Sequence, residues 1–209
     1  MFQDIFSNPL GFVLSFLALV VAISVHEFSH AFVADRLGDP TPSLQGRLTL
    51  NPLAHLDPIG TILLLFFRFG WGKPVQFDPF NLHNPRRDAA LISVAGPISN
   101  FLMAIVGSLL LRGVLLLPIA PPVVNIVLNF LVSFVSVNIV LGIFNLVPIH
   151  PLDGFKIVGG FLSEHQAKQW YELERYGYIF LIALLLTPAM TNLISPPINF
   201  LMKLLLPQI

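Results

Sequence analysis

Long apolar runs separated by short polar connections set the plan of this chain. The first run extends from Pro9 to Leu37 and closes on Asp35-Arg36 and then Gly38-Asp39-Pro40, a charged stop followed by turn residues. A second runs from Ala89 to Leu117 behind Arg86-Arg87-Asp88, and a third from Val123 to Val147 after the turn Pro118 to Pro122. Each is long enough to cross a bilayer as a helix. Between the first two the pattern changes. Leu44 to Leu50 alternates apolar and polar residues with strand period, and Val75-Gln76-Phe77 repeats this briefly. Asp57-Pro58 reads as an N-cap with proline at the first helical position, opening an apolar stretch, Ile59 to Phe67, too short to span. The pattern therefore predicts a re-entrant or interfacial segment with a small membrane-associated β element. After the third run, Lys156 to Glu174 is polar and predicts a surface helix. Tyr176 to Leu186 and Leu193 to Leu206 add one or two C-terminal hydrophobic segments, the first preceded by Trp170 and Tyr171 as belt residues.

Composition turns these runs into membrane spans. Of 209 residues 55% are hydrophobic and only 11% charged, with a mean hydropathy of +0.80, outside the range of soluble domains. Eleven basic residues balance eleven acidic ones, so no nucleic-acid surface is predicted. The absence of cysteine excludes disulfides and thiol chemistry. Met1 to Asn8 carries Asp4 and no basic residue, a poor secretory leader, so the first span reads as mature protein.

Polar residues inside the spans carry the chemistry. His26-Glu27-Phe28-Ser29-His30 lies in the first run, with the two imidazoles one turn apart on one helical face and Glu27 about 100° round. Three ionisable groups within five residues at membrane depth are costly unless they serve a site. The pattern is that of two metal-ligating histidines beside a carboxylate base, and a catalytic zinc requires a third protein ligand. Two candidates follow the third span, His150 and Asp153 in Asn145-Leu146-Val147-Pro148-Ile149-His150-Pro151-Leu152-Asp153-Gly154, and local chemistry leaves the choice open. In the second span Ser93, Gly96, Asn100, Ala104 and Gly107 share a face, and the Asn100 amide needs a partner inside the bilayer. His55 and Asp57 serve equally well as turn residues or as neighbours of the site.

Six basic residues, Arg36, Arg47, Arg68, Lys73, Arg86 and Arg87, fall in the connection after the first span, and Lys156, Lys168 and Arg175 follow the third. The positive-inside bias puts both connections in the cytosol and the N-terminus outside. His26, His30 and Asp153 then approach one cytosolic face.

With His-Glu-x-x-His at His26 to His30, Ala95-Gly96-Pro97-x-x-Asn100 and the Asn145 to Gly154 motif in this order, the chain resembles the site-2 protease family of intramembrane zinc metalloproteases. Asn51 to Thr61 and Gly70 to Val75 resemble its compact prokaryotic branch, and nothing in the chain resembles a PDZ or CBS domain. The resemblance implies one Zn2+ held by His26, His30 and Asp153, which decides against His150, with Glu27 as general base. It also implies a single peptidase domain over residues 1–209, with a three-helix catalytic core over about 10–160 and C-terminal helices over about 165–207. Asn145 is a candidate for the oxyanion or for orienting substrate, and Asn100 and His55 for support. The expected substrate is a transmembrane helix of another protein, met in a prokaryotic cell membrane and unwound locally, with the Leu44 to Leu50 strand as an edge for pairing. Iron(II) is the chemical runner-up to zinc. A metal transporter needs further ligands on neighbouring helices, and a silent scaffold has no use for buried ionisable groups; these are the competing classes. Oligomeric state is not legible.

Overall fold

A computed structural model of the chain describes residues 7–67, 70–118 and 121–207. Asp4 and Arg68, used in the leader and charge readings, lie outside these. Three long helices form the centre: α1 (Pro9–Arg36), α4 (Pro85–Leu115) and α5 (Pro121–Asn145). Between the first two lie α2 (Thr41–Leu44) and α3 (Pro58–Phe67), and after α5 come α6 (Asp153–Phe161), α7 (Glu164–Glu172), α8 (Gly177–Leu185) and α9 (Pro188–Leu205). α1, α4 and residues 122–145 of α5 are each long and apolar enough to cross a membrane. The chain is a polytopic helical membrane protein.

The ends of α1 follow from its sequence. Asn8 caps the start by accepting from the Gly11 amide at 3.0 Å, with Pro9 as the first helical residue. At the other end Gly38 takes φ +102°, which only glycine adopts readily, and the Gly38 and Asp39 amides return to the Asp35 and Ala34 carbonyls. The chain reverses there. Asp39 is fully buried and accepts from Thr41 N, Thr41 Oγ1, Asn81 Nδ2 and Asp78 N at 2.6–3.0 Å, binding the start of the α1–α4 connection to its end. Those bonds outweigh burial and hold the Asp39 carboxyl below its usual range.

This connection departs from the expected β element. Among the described residues there is no strand: Thr41–Leu44 is a helical turn, 45–50 are turns and bends, and Leu56 and Gly72 form an isolated antiparallel bridge. The alternation from Leu44 to Leu50 does not produce pairing because Pro42 and the left-handed Gly46, φ +67°, curl the chain. Its polar member Arg47 is also buried rather than facing water. Edge pairing through Leu44 to Leu50 is withdrawn with the strand. The cap at Asp57 is present, accepting from the Gly60 amide at 2.7 Å to open α3.

Small residues set the helix spacing. A Cβ on Gly107 would meet the Phe134 ring at 2.9 Å, and one on Gly142 the Phe101 ring at 2.9 Å, so α4 and α5 approach closely. Gly154 lies against the Leu146 and Val147 backbone, and Gly160 against Ala90, which seats α6 on α4. The surface helix expected over Lys156 to Glu174 is instead broken at Ser163, which with Gln166 forms a capping box opening α7. The helical stretch Glu164–Leu185, which ends in α8, meets α9 at 82°. α9 returns against α4 and α5, where Ile198, Leu201 and Met202 pack on Ala104, Val135 and Ile139, and Ser108 donates to the Leu205 carbonyl.

Candidate metal centre

α1 carries His26 and His30 on the face turned to α4, and both are buried. The break after α5 brings Asp153, first residue of α6, to the same point. The Nε2 atoms of the histidines are 3.0 Å apart, and Asp153 Oδ2 lies 3.2 Å from His26 Nε2 and 3.3 Å from His30 Nε2. Among the described residues this is the group of His, Asp and Glu that converges for a metal.

The outer ring nitrogens determine what the inner ones present. His30 Nδ1 is 2.7 Å from the Ile92 carbonyl, which only accepts, so this nitrogen carries the proton. His26 Nδ1 is 2.6 Å from Asn100 Oδ1. The amide of Asn100 is oriented because its Nδ2 donates to Asn138 Oδ1 at 2.9 Å, and Asn138 Nδ2 donates to the Phe134 carbonyl at 2.9 Å. His26 Nδ1 is therefore also the donor. With its proton on Nδ1 each ring can direct an Nε2 lone pair, and Asp153 a carboxylate oxygen with no hydrogen-bond partner, at one point. Three acceptors about 3 Å apart repel one another without a cation between them. Donors about 2.0–2.1 Å from a tetrahedral ion stand about 3.3 Å apart, so the triangle fits zinc.

Gly96 completes the cradle. A Cβ there would lie 2.5 Å from His26 Cε1 and His30 Nε2. The small-residue stripe of the second span thus serves the imidazoles as well as helix packing, a role the stripe does not reveal in sequence. Glu27 is on α1 with Oε2 accepting from the Val75 amide at 2.8 Å.

The remaining expected residues separate. His150 faces Glu174 at 3.5 Å and the rings of Phe155 and Tyr178, apart from the metal group. The Asn145 amide donates to the Leu141 carbonyl one turn back at 3.0 Å. His55 is fully buried, with Nε2 2.7 Å from the Thr49 carbonyl, and burial holds its ring below the usual imidazole range. It anchors the connection rather than joining the ligands. Asn138, Arg47 and the Val75 amide surround the site without having been singled out as site residues in the sequence.

Asn100→Ala is expected to weaken zinc binding by about 10–100-fold, since a histidine that loses its outer acceptor loses orientation and basicity. Competition against a zinc-sensitive dye, on protein whose thermal midpoint is followed in parallel, measures it.

The chain is similar to known proteins that are named as zinc metalloproteases. The model of Peptidase family M50 matches residues 111–188. "Putative zinc metalloprotease YwhC" of Bacillus subtilis is 38% identical over 188 residues, covering 88% of this chain and 84% of the relative. "Putative zinc metalloprotease Rip2" of Mycolicibacterium smegmatis is 28% identical over 193 residues, covering 88% and 73%. A zinc metalloprotease of Methanocaldococcus jannaschii is 25% identical over 84% of this chain and 39% of its own. No solved structure matches the chain significantly.

Proposed function

Because the chain belongs to peptidase family M50, the site-2 proteases, and is accordingly a zinc-dependent metalloendopeptidase, we propose that it hydrolyses peptide bonds within transmembrane segments of other membrane proteins. The observation that carries this reading is the convergence of His26, His30 and Asp153 inside the helix core. His26 lies ten residues before Arg36, the last residue of α1, hence about 15 Å from that end. A bond cleaved there belongs to a polypeptide within the bilayer. Transporter and scaffold readings give way to the enzyme.

His26, His30 and Asp153 would hold the zinc. When bound, the ion polarises the scissile carbonyl and brings the acidity of water toward neutrality. Glu27 accepts the proton of the attacking water as its oxygen bonds to the carbonyl carbon. As the C–N bond breaks, Glu27 returns that proton to the departing nitrogen, leaving an amine and a carboxylic acid whose remaining proton passes to water. Asn100 and the Ile92 carbonyl keep both imidazoles presenting Nε2 throughout. We assign Asn145 to substrate orientation, where release of its bond to Leu141 makes an amide donor available.

A helical substrate shields its amides in its own hydrogen bonds, so it unwinds before reaction. We take α3, too short to span and packed at Gly60 against the Trp71 backbone, as the re-entrant element. The whole of residues 1–209 forms one peptidase domain, and the excess of basic residues in the connections after α1 and α5 supports a cytosolic site with the N-terminus outside.

The test is cleavage of a purified transmembrane segment in detergent, with and without zinc chelation. Cleavage within the segment, lost on chelation and restored by stoichiometric zinc, is the expected result. Cleavage confined to extramembrane sequence would overturn the intramembrane reading.

A further inference from the structure

Arg47 is 3% exposed, yet its guanidinium is incompletely paired. Nη2 donates to the Lys73 carbonyl and lies 3.9 Å from Glu27 Oε2, while Nε has no partner. A buried guanidinium paired this incompletely is a poor stabiliser; an apolar residue of similar volume would serve packing better. Its neighbours explain its presence. Residues 71–75 run as a strap over one turn of α1, from Ile23, which Gly72 touches, to Glu27, whose Oε2 accepts the Val75 amide.

The strap is fixed along its backbone. Lys73 N donates to the His55 carbonyl at 2.8 Å, Gly72 bridges Leu56, and Gly60 of α3 lies against the Trp71 backbone, where a Cβ would not fit. His55 in turn is held by Thr49. Glu27 itself stands on a long side chain with several rotatable bonds, and a base must be held within about 0.5 Å of its working geometry. The Val75 amide supplies a fixed donor and Arg47 a cation, both directed at the same oxygen. Arg47 also joins the strap to that oxygen by bonding the carbonyl of Lys73, two residues before Val75.

We propose that Arg47 is a positioning residue for Glu27, acting with the Val75 amide of the 71–75 strap to hold the general base in its reacting orientation. The proposal rests on the reading of Glu27 given above. It makes the connection between the first two spans part of the catalytic apparatus, in addition to any role in substrate entry.

The experiment compares wild type, Glu27→Gln, Arg47→Met and Val75→Pro on one transmembrane substrate, with kcat, KM, zinc content and thermal midpoint for each. Val75→Pro removes the N–H while leaving Arg47 in place and tests the strap by itself; Arg47→Lys, which keeps the cation, takes the place of Arg47→Met if the latter does not fold. The expected result is a fall in kcat of tenfold or more for both, with KM within threefold of wild type and about one zinc retained. An unchanged kcat, a higher one, or a loss that merely follows loss of zinc or of the folded state would overturn the proposal. Absence of cleavage by wild type would instead overturn the peptidase reading, and equal cleavage by wild type and Glu27→Gln the assignment of the base.

Discussion

Glu27→Gln is expected to lower cleavage of a transmembrane segment by about 10³-fold or more while about one zinc per chain stays bound. The substitution keeps the shape of the side chain and an oxygen able to accept the Val75 amide, now 2.8 Å from Glu27 Oε2. It removes only the capacity to take a proton. General acid–base groups contribute about 10²–10⁴-fold, and one that serves both attack and departure belongs at the upper end. His26, His30 and Asp153 are untouched, so zinc content, determined on the folded monodisperse fraction, should match wild type. Arg47 loses its counter-charge, which predicts a lower thermal midpoint independent of zinc. Cleavage within tenfold of wild type would transfer the role of base to another group.

Gly96→Ala is the second large effect, and it is expected to act through the metal. The added carbon would stand 2.5 Å from His26 Cε1 and His30 Nε2, about 1 Å inside ordinary contact. Both rings are tethered at Nδ1, to Asn100 and Ile92, and neither can retreat without giving up that bond. α1 and α4 must separate or the rings must turn. Ligand distances tolerate only about 0.2 Å, so zinc affinity should fall by 100-fold or more and cleavage to background. Alanine is otherwise a good helix former, which leaves the spans intact. Gly107→Ala on the same stripe meets the side chains of Phe134 and Val135 instead. It should lower the thermal midpoint and spare the metal. Zinc retained through dialysis, measured on both variants, separates the two; full retention in Gly96→Ala would show that the helices can part at no cost to the site.

The spans and the histidine pair were legible because hydropathy and helical period are local properties. Asn100 could be singled out for a related reason: a lone amide in an apolar run demands a partner wherever the helix lies. What escaped depends on contacts distant in sequence. His150 and Asp153 are three residues apart with equal chemical claims, and only the turn after α5, which sends His150 to Glu174 and Asp153 to the histidines, distinguishes them. The alternation from Leu44 to Leu50 failed for a different reason. It reports which residues are apolar, whereas the path is set by Pro42, Gly46 and a buried Arg47 bonded to Lys73, twenty-six residues on. The break at Ser163 was written in the chain as Ser-x-x-Gln, a signal weaker in sequence than the polar continuity around it.

The line of amides from His26 through Asn100 and Asn138 to the Phe134 carbonyl has a consequence for assembly. Helices of a membrane protein insert separately and then associate, and apolar flanks alone let one slide along another at little cost. Here α1, α4 and α5 each contribute one rung, and the rungs meet at a single axial offset. A shift of one turn, about 5.4 Å, would strand His26 Nδ1 and the Asn100 amide in hydrocarbon. The same rungs that orient a zinc ligand therefore act as a register key, so that the three helices come to rest with the metal-binding atoms already level with one another.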